Sequence, residues 1–380
     1  MTIGGIEKSF LSLVNALPQN YEIHLLLLKK EGGFYNDIPK RVLILNEFSD
    51  FKIENYLGVK SFDRIKSFFK KGLIIKSIKG LWFAILYRLT KNAKCSYKVY
   101  EWQLPDIKHS YDLAIAYHNT VNFISYFVAN NVNAKKKMQW IHTDLSKLKH
   151  DIASNRPLYK KFHEIVAVSN AAKSSFLNYY PELSGRTKVF YNIVDENNLN
   201  ELSLATKSNF DDAYDGVRIL TVGRVSRDKG FDLAIDAVCS LIKEGFKLRY
   251  YIIGEGEYEG KLKEQVVKLQ LENQIVFLGA KSNPYGYMRH TDIYLQPSRH
   301  EGQCITVWEA KVFNIPMVLT AFPTAYEAVI DGQTGLIVEL NTEGIYSGLK
   351  KLLTDKNLRT QLRTNLQKEN ENSAKRMLPF

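Results

Sequence analysis

The feature that most constrains this sequence is a regular alternation of short apolar runs with longer stretches of helical periodicity. The apolar runs carry hydrophobic side chains on both faces, as strands buried in a parallel sheet require. They lie at 23–28, 42–45, 113–117, 138–141, 165–168, 189–191, 219–222, 250–253, 275–278, 293–296, 317–319 and 336–338. Helical stretches occur at 6–17, 171–179, 230–244, 258–270, 304–313 and 343–365. This alternation predicts parallel βαβ units and an α/β fold.

The length of the chain suits two such sheets. Domains average about 150 residues, so a chain of 380 residues is expected to form two of them. The polar stretch 196–216 lacks strong periodicity and is interpreted as the connection between the domains. We therefore predict an N-terminal domain over 1–200, a C-terminal domain over 201–365 and a polar tail over 366–380.

The net charge of +12 is confined to the first half of the chain. Residues 1–200 hold 29 basic and 17 acidic side chains, whereas residues 201–380 hold 23 of each. This asymmetry predicts different functions for the two domains. The three cysteines form no Cys-x-x-Cys pair, which excludes a disulfide framework and a cysteine-rich zinc site and fits a reducing cytoplasm.

A basic and aromatic insertion at about 50–110 interrupts the strands of the first half. Between Lys60 and Lys98 there are 11 basic residues and one acid, Asp63. An amphipathic segment of this composition suits an anionic membrane surface; the alternative is a solvated helical pair with its aromatic side chains buried in the domain. No nucleic-acid motif accompanies the charge, so nucleic acid is not a predicted partner. The apolar stretch 81–87 is too short to span a membrane.

The first candidate site follows the predicted strand 219–222. Gly223 allows a tight turn and a close approach of a ligand to the backbone. Arg224 and Lys229 then place two cations at the carboxyl end of a parallel strand, where open α/β sheets bind ligands. Two cations beside a helix N-terminus suit a diphosphate, although this motif alone also fits a surface loop with ordinary charges.

A second candidate site follows the predicted strand 293–296. Gly302 leaves the backbone N–H groups of residues 302–305 open at a helix start, where they can hold a phosphate without a metal. Glu301 precedes this helix and can accept hydrogen bonds from sugar hydroxyls. Glu309 lies within the helix among apolar residues and can accept hydrogen bonds from a ribose. A carboxylate in such surroundings is usually functional or paired.

Together these motifs resemble the donor-site signature of family 4 retaining glycosyltransferases with the GT-B fold. The stretches that carry the resemblance are Gly223-Arg224, Lys229-Gly230, Glu301 with Glu309, 253–256, 276–279, 291–298 and 331–336. A looser resemblance, to transferases of capsular and other surface polysaccharides, runs through 4–7, 140–144, 168–169 and 191–192. It implies two Rossmann-like parallel-sheet domains facing a cleft, the first binding the acceptor and the second the nucleotide sugar.

The resemblance also implies a donor site. The residues expected to bind the donor are Gly5, Gly223, Arg224, Lys229, Gly254, Ala280, Lys281, Glu301, Gly302, Gln303, Cys304 and Glu309. Arg224 and Lys229 would bind the diphosphate and stabilise its charge. Glu301 would contact the donor sugar, Glu309 the ribose, and the loop 279–281 would flank the base. Backbone N–H groups of residues 302–304 would contact the sugar or a phosphate.

Two residues of the first half join this set by the same resemblance. His142 matches a histidine at the end of a first-domain strand near the reacting sugar, where it would position the sugar or the acceptor. It is placed with Arg224, Lys229 and Glu301 in the catalytic set. Asp144 is a weaker candidate for contact with the acceptor hydroxyl.

The implied activity is the retaining transfer of a hexose or acetamidohexose from a UDP- or GDP-linked donor to a lipid-linked saccharide, in surface polysaccharide biosynthesis. The expected location is the cytoplasm, peripheral on the inner face of the cell membrane. No cofactor or metal is expected, and the chain contains no Asp-x-Asp motif. A nucleotide-sugar epimerase of related fold would use a different acid/base set.

The sequence departs from the family pattern at both ends. Gly4-Gly5 follows Met1 after only two residues, so the first strand of the N-terminal domain is expected to be missing. Either Met1 is a misassigned start or the chain is truncated, and the polar residues after 365 look unable to supply the family's closing helix. These departures favour an alternative, a truncated or non-catalytic GT-B partner that binds nucleotide sugar without turnover. The intact donor motifs favour the enzyme.

Overall fold

The structure is a computed structural model of the chain. It describes residues 4–27, 34–45, 65–66, 69–70, 72–90, 95, 97, 107–118, 122–147, 152–205, 210 and 212–371. These residues form two compact units: unit 1 lies within 17–168 and 172–190, and unit 2 within 3–16, 169–171 and 191–380. The expected missing strand before Gly4 and most of the insertion at 50–110 fall outside the described residues.

Unit 1 is built on parallel strands. After helix α1 (Gly5–Ala16), which packs in unit 2, strands β1 (Ile23–Leu25) and β2 (Val42–Ile44) pair with each other. Helix α2 (Ile74–Thr90) follows. A four-stranded parallel sheet has the order β3 (Ser110–Ala116), β4 (Asn133–Ile141), β5 (Glu164–Ala167) and β6 (Thr187–Val189). Its helices are α3 (Asn122–Asn131), α4 (Ile152–Tyr159) and α5 (Asn170–Tyr179).

Strand β4 begins five residues before the predicted strand at 138–141. Its first half carries lysines at 135–137, which hide it from a search for apolar runs. Backbone pairing with β3 extends it nonetheless, with Ser110 opposite Asn133 and Ala116 opposite Gln139. The apolar half is fully buried and ends in Trp140 and Ile141, so this strand ends in the core of unit 1.

Helix α2 lies within the basic and aromatic insertion and covers residues 74–90. One face is made of small residues: Ser77 is buried, and a Cβ added to Gly80 would lie 3.3 Å from Ile65 Cγ1. Another face exposes a stripe of large apolar side chains at Ile74, Ile75, Ile78, Leu81, Trp82, Ile85 and Leu89. At 100° per residue these positions span an arc of about 120°. In the described part of the chain, no helix has both the length and the apolar character needed to cross a membrane.

Unit 2 contains a six-stranded parallel sheet and most of the remaining helices. Its strands are β7 (Val217–Val222), β8 (Leu248–Ile253), β9 (Ile275–Gly279), β10 (Ile293–Gln296), β11 (Met317–Thr320) and β12 (Leu336–Val338). Their order across the sheet is β12-β11-β10-β7-β8-β9. The chain therefore reverses direction across the sheet between β9 and β10, and strands β7 and β10 are neighbours at this switch point, where α/β folds bind ligands.

Besides α1, unit 2 contains a helix that precedes its strands, α6 (Glu196–Ala205), and further helices that follow them. The further helices are α7 (Phe231–Lys243), α8 (Glu259–Lys268), α9 (Tyr285–Arg289), α10 (Ile305–Val312), α11 (Ala325–Ala328), α12 (Thr342–Thr354) and α13 (Lys356–Glu371). Alternate residues of each strand enter different core clusters, as Ile219 and Leu220 of β7 do, because successive side chains of a strand point to opposite faces. Both faces of the sheet are thus covered.

The structure corrects three features of the predicted organisation. The stretch 196–216, interpreted as a linker, contains α6, whose Leu199 is buried and whose start is capped by Asp195 Oδ1 accepting from the Asn198 N–H at 3.1 Å. Unit 2 resumes at residue 191, ahead of the predicted boundary at 200. The predicted polar tail from 366 is wrong at its start, because α13 continues to Glu371 and Leu366 is fully buried.

Candidate active site

Glycines let three loops meet at the carboxyl edge of the unit 2 sheet. Gly254, after β8, has a φ of +146°, and a Cβ there would lie 1.8 Å from the Gly223 carbonyl oxygen. Gly230 has a φ of +69°, and its Cβ would lie 1.9 Å from the carbonyl oxygen of Pro297, after β10. Any side chain at either position would force the backbones apart. The two predicted motifs, one after β7 and one after β10, are therefore in direct contact.

Lys229 and Glu301 form a buried ion pair between these two loops. Lys229 Nζ lies 2.7 Å from both carboxylate oxygens of Glu301. The Ser298 hydroxyl also donates to Glu301 Oε1 at 2.7 Å. Burial lowers the pKa of the Lys229 ammonium, but the Glu301 carboxylate together with Cys304 and Asp228 outweighs burial, and the pKa is raised. Lys229, predicted to project as a cation towards a ligand, is already charge-paired with another predicted site residue.

Arg224 has a different environment from Lys229. Its side chain is 68% exposed, and its guanidinium lies 4.0 Å from the Asp228 carboxylate. Exposed pairs at this distance hold a side chain weakly. Arg224 is therefore a solvent-exposed cation of this loop, whereas Lys229 is held in its ion pair.

An arginine that sequence reasoning did not single out braces the same loops. Arg299 makes a bidentate pair with Asp232 at 2.7 Å for both oxygens. Its Nη1 also donates to the Arg227 carbonyl oxygen at 2.8 Å, and its backbone N–H donates to the Asp228 carbonyl oxygen at 2.8 Å. The fork geometry fixes one loop against the other. No local sequence signal marks this pair, because its partners are 67 residues apart.

Glu309 lies on α10 and is 2% exposed. Its Oε1 is 2.6 Å from Lys8 Nζ and accepts a hydrogen bond from the Tyr285 hydroxyl at 3.2 Å. Burial, followed by the charge of Glu309, raises the pKa of Tyr285, which keeps the phenol protonated as a donor. Glu309 Oε2 is buried and has no hydrogen-bond partner within the described residues. Lys8 and Tyr285 were not among the predicted site residues.

The residues before α10 present further polar groups. Gln303 Oε1 accepts from the Asn192 N–H at 2.8 Å, while Gln303 Nε2 is buried without a hydrogen-bond partner in the described part of the chain. The Gly302 carbonyl oxygen accepts from the Ser169 hydroxyl at 2.8 Å. Cys304 is a free, buried cysteine whose thiol pKa is raised by burial, so it is a packing residue rather than a nucleophile.

Three other predicted donor residues lie in unit 2. The Ala280 N–H donates to Glu255 Oε1 at 3.2 Å, which ties the loop after β9 to the loop after β8. Lys281 is exposed. Gly5 begins α1, and a Cβ at this position would lie 3.7 Å from Ile305 Cγ2, so α1 packs against the start of α10.

The two predicted residues of unit 1 lie just after β4. Burial, and to a lesser extent the neighbouring His118, lower the pKa of His142 to about 3, so its imidazole is neutral near neutral pH. The Tyr117 ring packs edge-on against it, with ring centres 4.7 Å apart. Asp144 accepts from the Ser146 N–H at 2.8 Å and from the Ser175 hydroxyl, which caps the short turn 145–147.

Sequence comparison connects this site with a known class of protein. Residues 209–369 match the family model of "Glycosyl transferases group 1". The chain is 29% identical over 207 residues to a Campylobacter jejuni N-acetylgalactosamine-N,N'-diacetylbacillosaminyl-diphospho-undecaprenol 4-alpha-N-acetylgalactosaminyltransferase, covering 53% of this chain and 54% of that protein. It is 28% identical over 153 residues to the Staphylococcus aureus capsular polysaccharide biosynthesis glycosyltransferase CapM, covering 40% of each. The chain spans about half the length of the curated relatives that it matches.

Structural comparison extends to nearly the whole chain. Anabaena HepE in complex with UDP-glucose superposes with a TM-score of 0.65 at 18% identity, covering 96% of this chain and 90% of that one. A glycosyltransferase from Rickettsia africae gives 0.65 at 17% identity, covering 98% and 91%. The fold is GT-B, with two Rossmann-like parallel sheets, as the sequence predicted. The predicted resemblance to glycosyltransferases of capsular and other surface polysaccharides is confirmed.

Proposed function

We propose that this protein is a glycosyltransferase that moves a sugar from a nucleoside diphosphate sugar to a saccharide acceptor in surface polysaccharide biosynthesis. The observation that carries the proposal is the pair of buried polar atoms beside α10, Glu309 Oε2 and Gln303 Nε2, which lack protein partners within the described residues. Buried polar groups are nearly always hydrogen-bonded to protein, water or ligand, so these two atoms are available to a polar ligand. Glu309 thus offers an acceptor and Gln303 a donor, a combination that suits a ligand rich in hydroxyl groups.

The charges nearby suit a diphosphate leaving group. As the bond from the sugar to the diphosphate breaks, negative charge accumulates on the phosphate oxygens. Arg224, Lys229 and the N–H groups of residues 302–304 would stabilise that charge, and preorganised donors are most effective at this stage. Lys229 would then be shared between the diphosphate and Glu301, whose carboxylate would turn to the sugar hydroxyls. Such a site would need no metal, and the donor would be UDP- or GDP-linked.

The stereochemical proposal is retention. Glu301 is tied to Lys229 and Ser298 and is assigned to sugar binding rather than to nucleophilic attack. With no other carboxylate assigned as a nucleophile, the acceptor would attack from the face that the diphosphate leaves, and the diphosphate would help to remove the acceptor proton. In unit 1, neutral His142 would position the sugar or the acceptor, and Asp144 would contact the acceptor hydroxyl.

The acceptor is proposed to be a lipid-linked saccharide, and the transferred sugar a hexose or acetamidohexose. The name of the Campylobacter jejuni relative describes transfer to a diphospho-undecaprenol saccharide, which supports this choice. Helix α2 supports a lipid-linked acceptor independently. It combines an exposed apolar stripe with basic residues such as Lys79 and Arg88 and has no acidic residue. A helix of this kind would lie on the anionic inner face of the cell membrane.

A panel of UDP- and GDP-sugars tests the proposal. Each donor is incubated with the full chain and a short lipid-linked saccharide, and both nucleoside diphosphate release and labelled lipid product are measured. One donor should yield both products in equal amounts. Binding of a donor with neither product would support a non-catalytic partner, which the intact donor motifs do not favour. Failure to bind any nucleotide sugar would overturn both the proposed transferase activity and the non-catalytic alternative.

A further inference from the structure

A lysine of helix α1 meets the carboxylate that is assigned to the ribose. Lys8 Nζ lies 2.6 Å from Glu309 Oε1 and 4.6 Å from the centre of the Tyr285 ring. Because the Tyr285 hydroxyl donates to the same oxygen, Oε1 is occupied by two donors. Oε2 is buried and has no hydrogen-bond partner among the described residues. The two oxygens of the Glu309 carboxylate therefore differ: Oε1 is bound by two donors, whereas Oε2 can accept hydrogen bonds from a ligand.

Packing of α1 makes this contact a fixed feature of unit 2. The buried Ser9 hydroxyl donates to Asn192 Oδ1 at 2.7 Å, which anchors the helix next to Lys8. One turn earlier, Gly5 lies against Ile305. Since Ile305 and Glu309 are four residues apart, they share one face of α10, and the first turns of α1 run along that face. The Lys8 side chain is only 17% exposed.

The energetics give Lys8 a role in addition to packing. A buried carboxylate is unfavourable unless it has a cationic partner. Lys8 supplies that partner to Glu309, and hydrogen bonds to an ionised acceptor are roughly twice as strong as those to a neutral one. The open oxygen is therefore a strong acceptor, held in a fixed direction.

We infer that Lys8 is a positioning residue of the donor site: it holds Glu309 by Oε1, so that Oε2 accepts hydrogen bonds from the ribose hydroxyls of a nucleoside diphosphate. The inference rests on the proposed function, which assigns Glu309 to the ribose. It adds to the donor site a second residue of α1, after Gly5. Lys8 itself touches no substrate in this arrangement.

The test compares ribose with deoxyribose. Binding of UDP, GDP and their 2′-deoxy analogues to the full-length protein is measured by calorimetry, for the wild type and for Lys8→Met and Lys8→Arg. The wild type should bind one ribonucleotide about tenfold more tightly than its 2′-deoxy analogue, because a hydroxyl bound to a charged acceptor is worth about 1.5 kcal/mol or more. Lys8→Met should reduce this ratio to about two or less. Lys8→Arg should keep most of it, since it keeps the cation.

Lys311→Met provides a matched control. Lys311 lies on α10, the helix that carries Glu309. Like Lys8, it pairs with a carboxylate and an aromatic ring: its Nζ is 2.6 Å from Glu369 Oε1 and 4.5 Å from the centre of the Trp308 ring. Replacing Lys311 removes a buried cation from α10 but leaves the contact between Lys8 and Glu309 intact. This variant should lose thermal stability while keeping the preference for ribose.

The outcomes are distinguishable. If the wild type binds neither UDP nor GDP, the proposed function fails. If it binds a nucleotide but does not distinguish ribose from deoxyribose, or if Lys8→Met keeps the full preference, the inference about Lys8 is overturned. An equal loss of affinity for both analogues in Lys8→Met, with the ratio unchanged, also overturns it, because a purely structural role would have that effect.

Discussion

At the scale of single residues, the two glutamates of unit 2 differ in what surrounds them. Both oxygens of Glu301 face Lys229, and Ser298 adds a donor, so the carboxylate is saturated within the protein. In Glu309, Oε1 is held by Lys8 and Tyr285, whereas Oε2 has no hydrogen-bond partner in the part of the chain that the structure describes. A ligand must therefore displace contacts to reach Glu301, whereas Glu309 offers a vacant acceptor. This difference gives the two carboxylates separate roles.

Removing a cation or a carboxylate from the site should lower turnover sharply. Arg224→Ala and Glu309→Gln are each expected to reduce kcat/KM by at least about a hundredfold, or about 2.7 kcal/mol, because each removes charge that the site presents to the donor. Arg227→Ala, in the same loop and also exposed, is the control and should stay within about threefold of wild type, since surface changes usually have small effects. Wild-type rates for Arg224→Ala would remove that residue from the site.

His142 should make the stability of unit 1 sensitive to acid. Its pKa is about 3 in the folded protein, against about 6.5 for an ordinary histidine. Between these values the unfolded chain binds a proton that the folded chain does not, so stability falls as the pH falls. From pH 7.5 to 5.5 the loss should be about 1.4 kcal/mol for this residue.

Urea unfolding of His142→Gln at both pH values measures this contribution. The variant should lose less stability on acidification than the wild type, by about that amount. His109→Gln, at an exposed histidine of unit 1, should behave as wild type. An acid sensitivity that survives in His142→Gln would mean that other groups cause it.

At the scale of elements, the hydrophobic pattern predicted the strands well, but it missed helices made mostly of polar residues. All twelve apolar runs correspond to strands, because a buried strand needs hydrophobic residues on both faces. Helix α6 was missed because it packs through few apolar side chains, such as Leu199, and its Asp195 cap is a short signal. Helix α13 continues into the predicted tail because Leu366 packs against the rest of unit 2. The polar residues that surround Leu366 along the chain did not indicate this packing.

Helix α2 provides the prediction at this scale. Ile78→Asp combined with Ile85→Asp places two charges in the exposed apolar stripe and should reduce sedimentation with anionic vesicles by about tenfold or more, since charged side chains are costly among lipid chains. Leu204→Asp combined with Val267→Asp changes two apolar residues of unit 2 that are just as exposed, and should sediment as wild type. Equal sedimentation of both double variants would contradict a membrane role for α2.

At the scale of the whole molecule, the basic charge and the proposed donor site lie in different parts of the chain. Residues 201–380 are balanced in charge, and they contain all the predicted donor residues except Gly5. The basic excess lies in 1–200, where the insertion is found. A nearly neutral donor region does not attract nucleotides through long-range charge. Affinity there must come from the local cations and N–H groups.

Nucleotide binding should therefore protect a defined part of unit 2. With UDP or GDP at about 100 times its Kd, the ligand should stabilise the site by about 2.7 kcal/mol. Hydrogen exchange should slow in segments 223–230 and 301–309, whereas adenosine diphosphate at the same concentration should leave the rates unchanged. Protection confined to β3–β6 of unit 1 would move the nucleotide site away from the two motifs.

The sequence by itself determined the α/β class, the positions of the strands and the two motifs of the proposed donor site. These are local properties, since they depend on which side chains are apolar and on residues a few positions apart. Only the tertiary structure showed the pairing of Lys229 with Glu301, the bracing by Arg299 and the contact of Lys8 with Glu309. Such contacts join residues 67 or more positions apart, so no local pattern encodes them, and only the packing of helices and loops on the sheet brings them together.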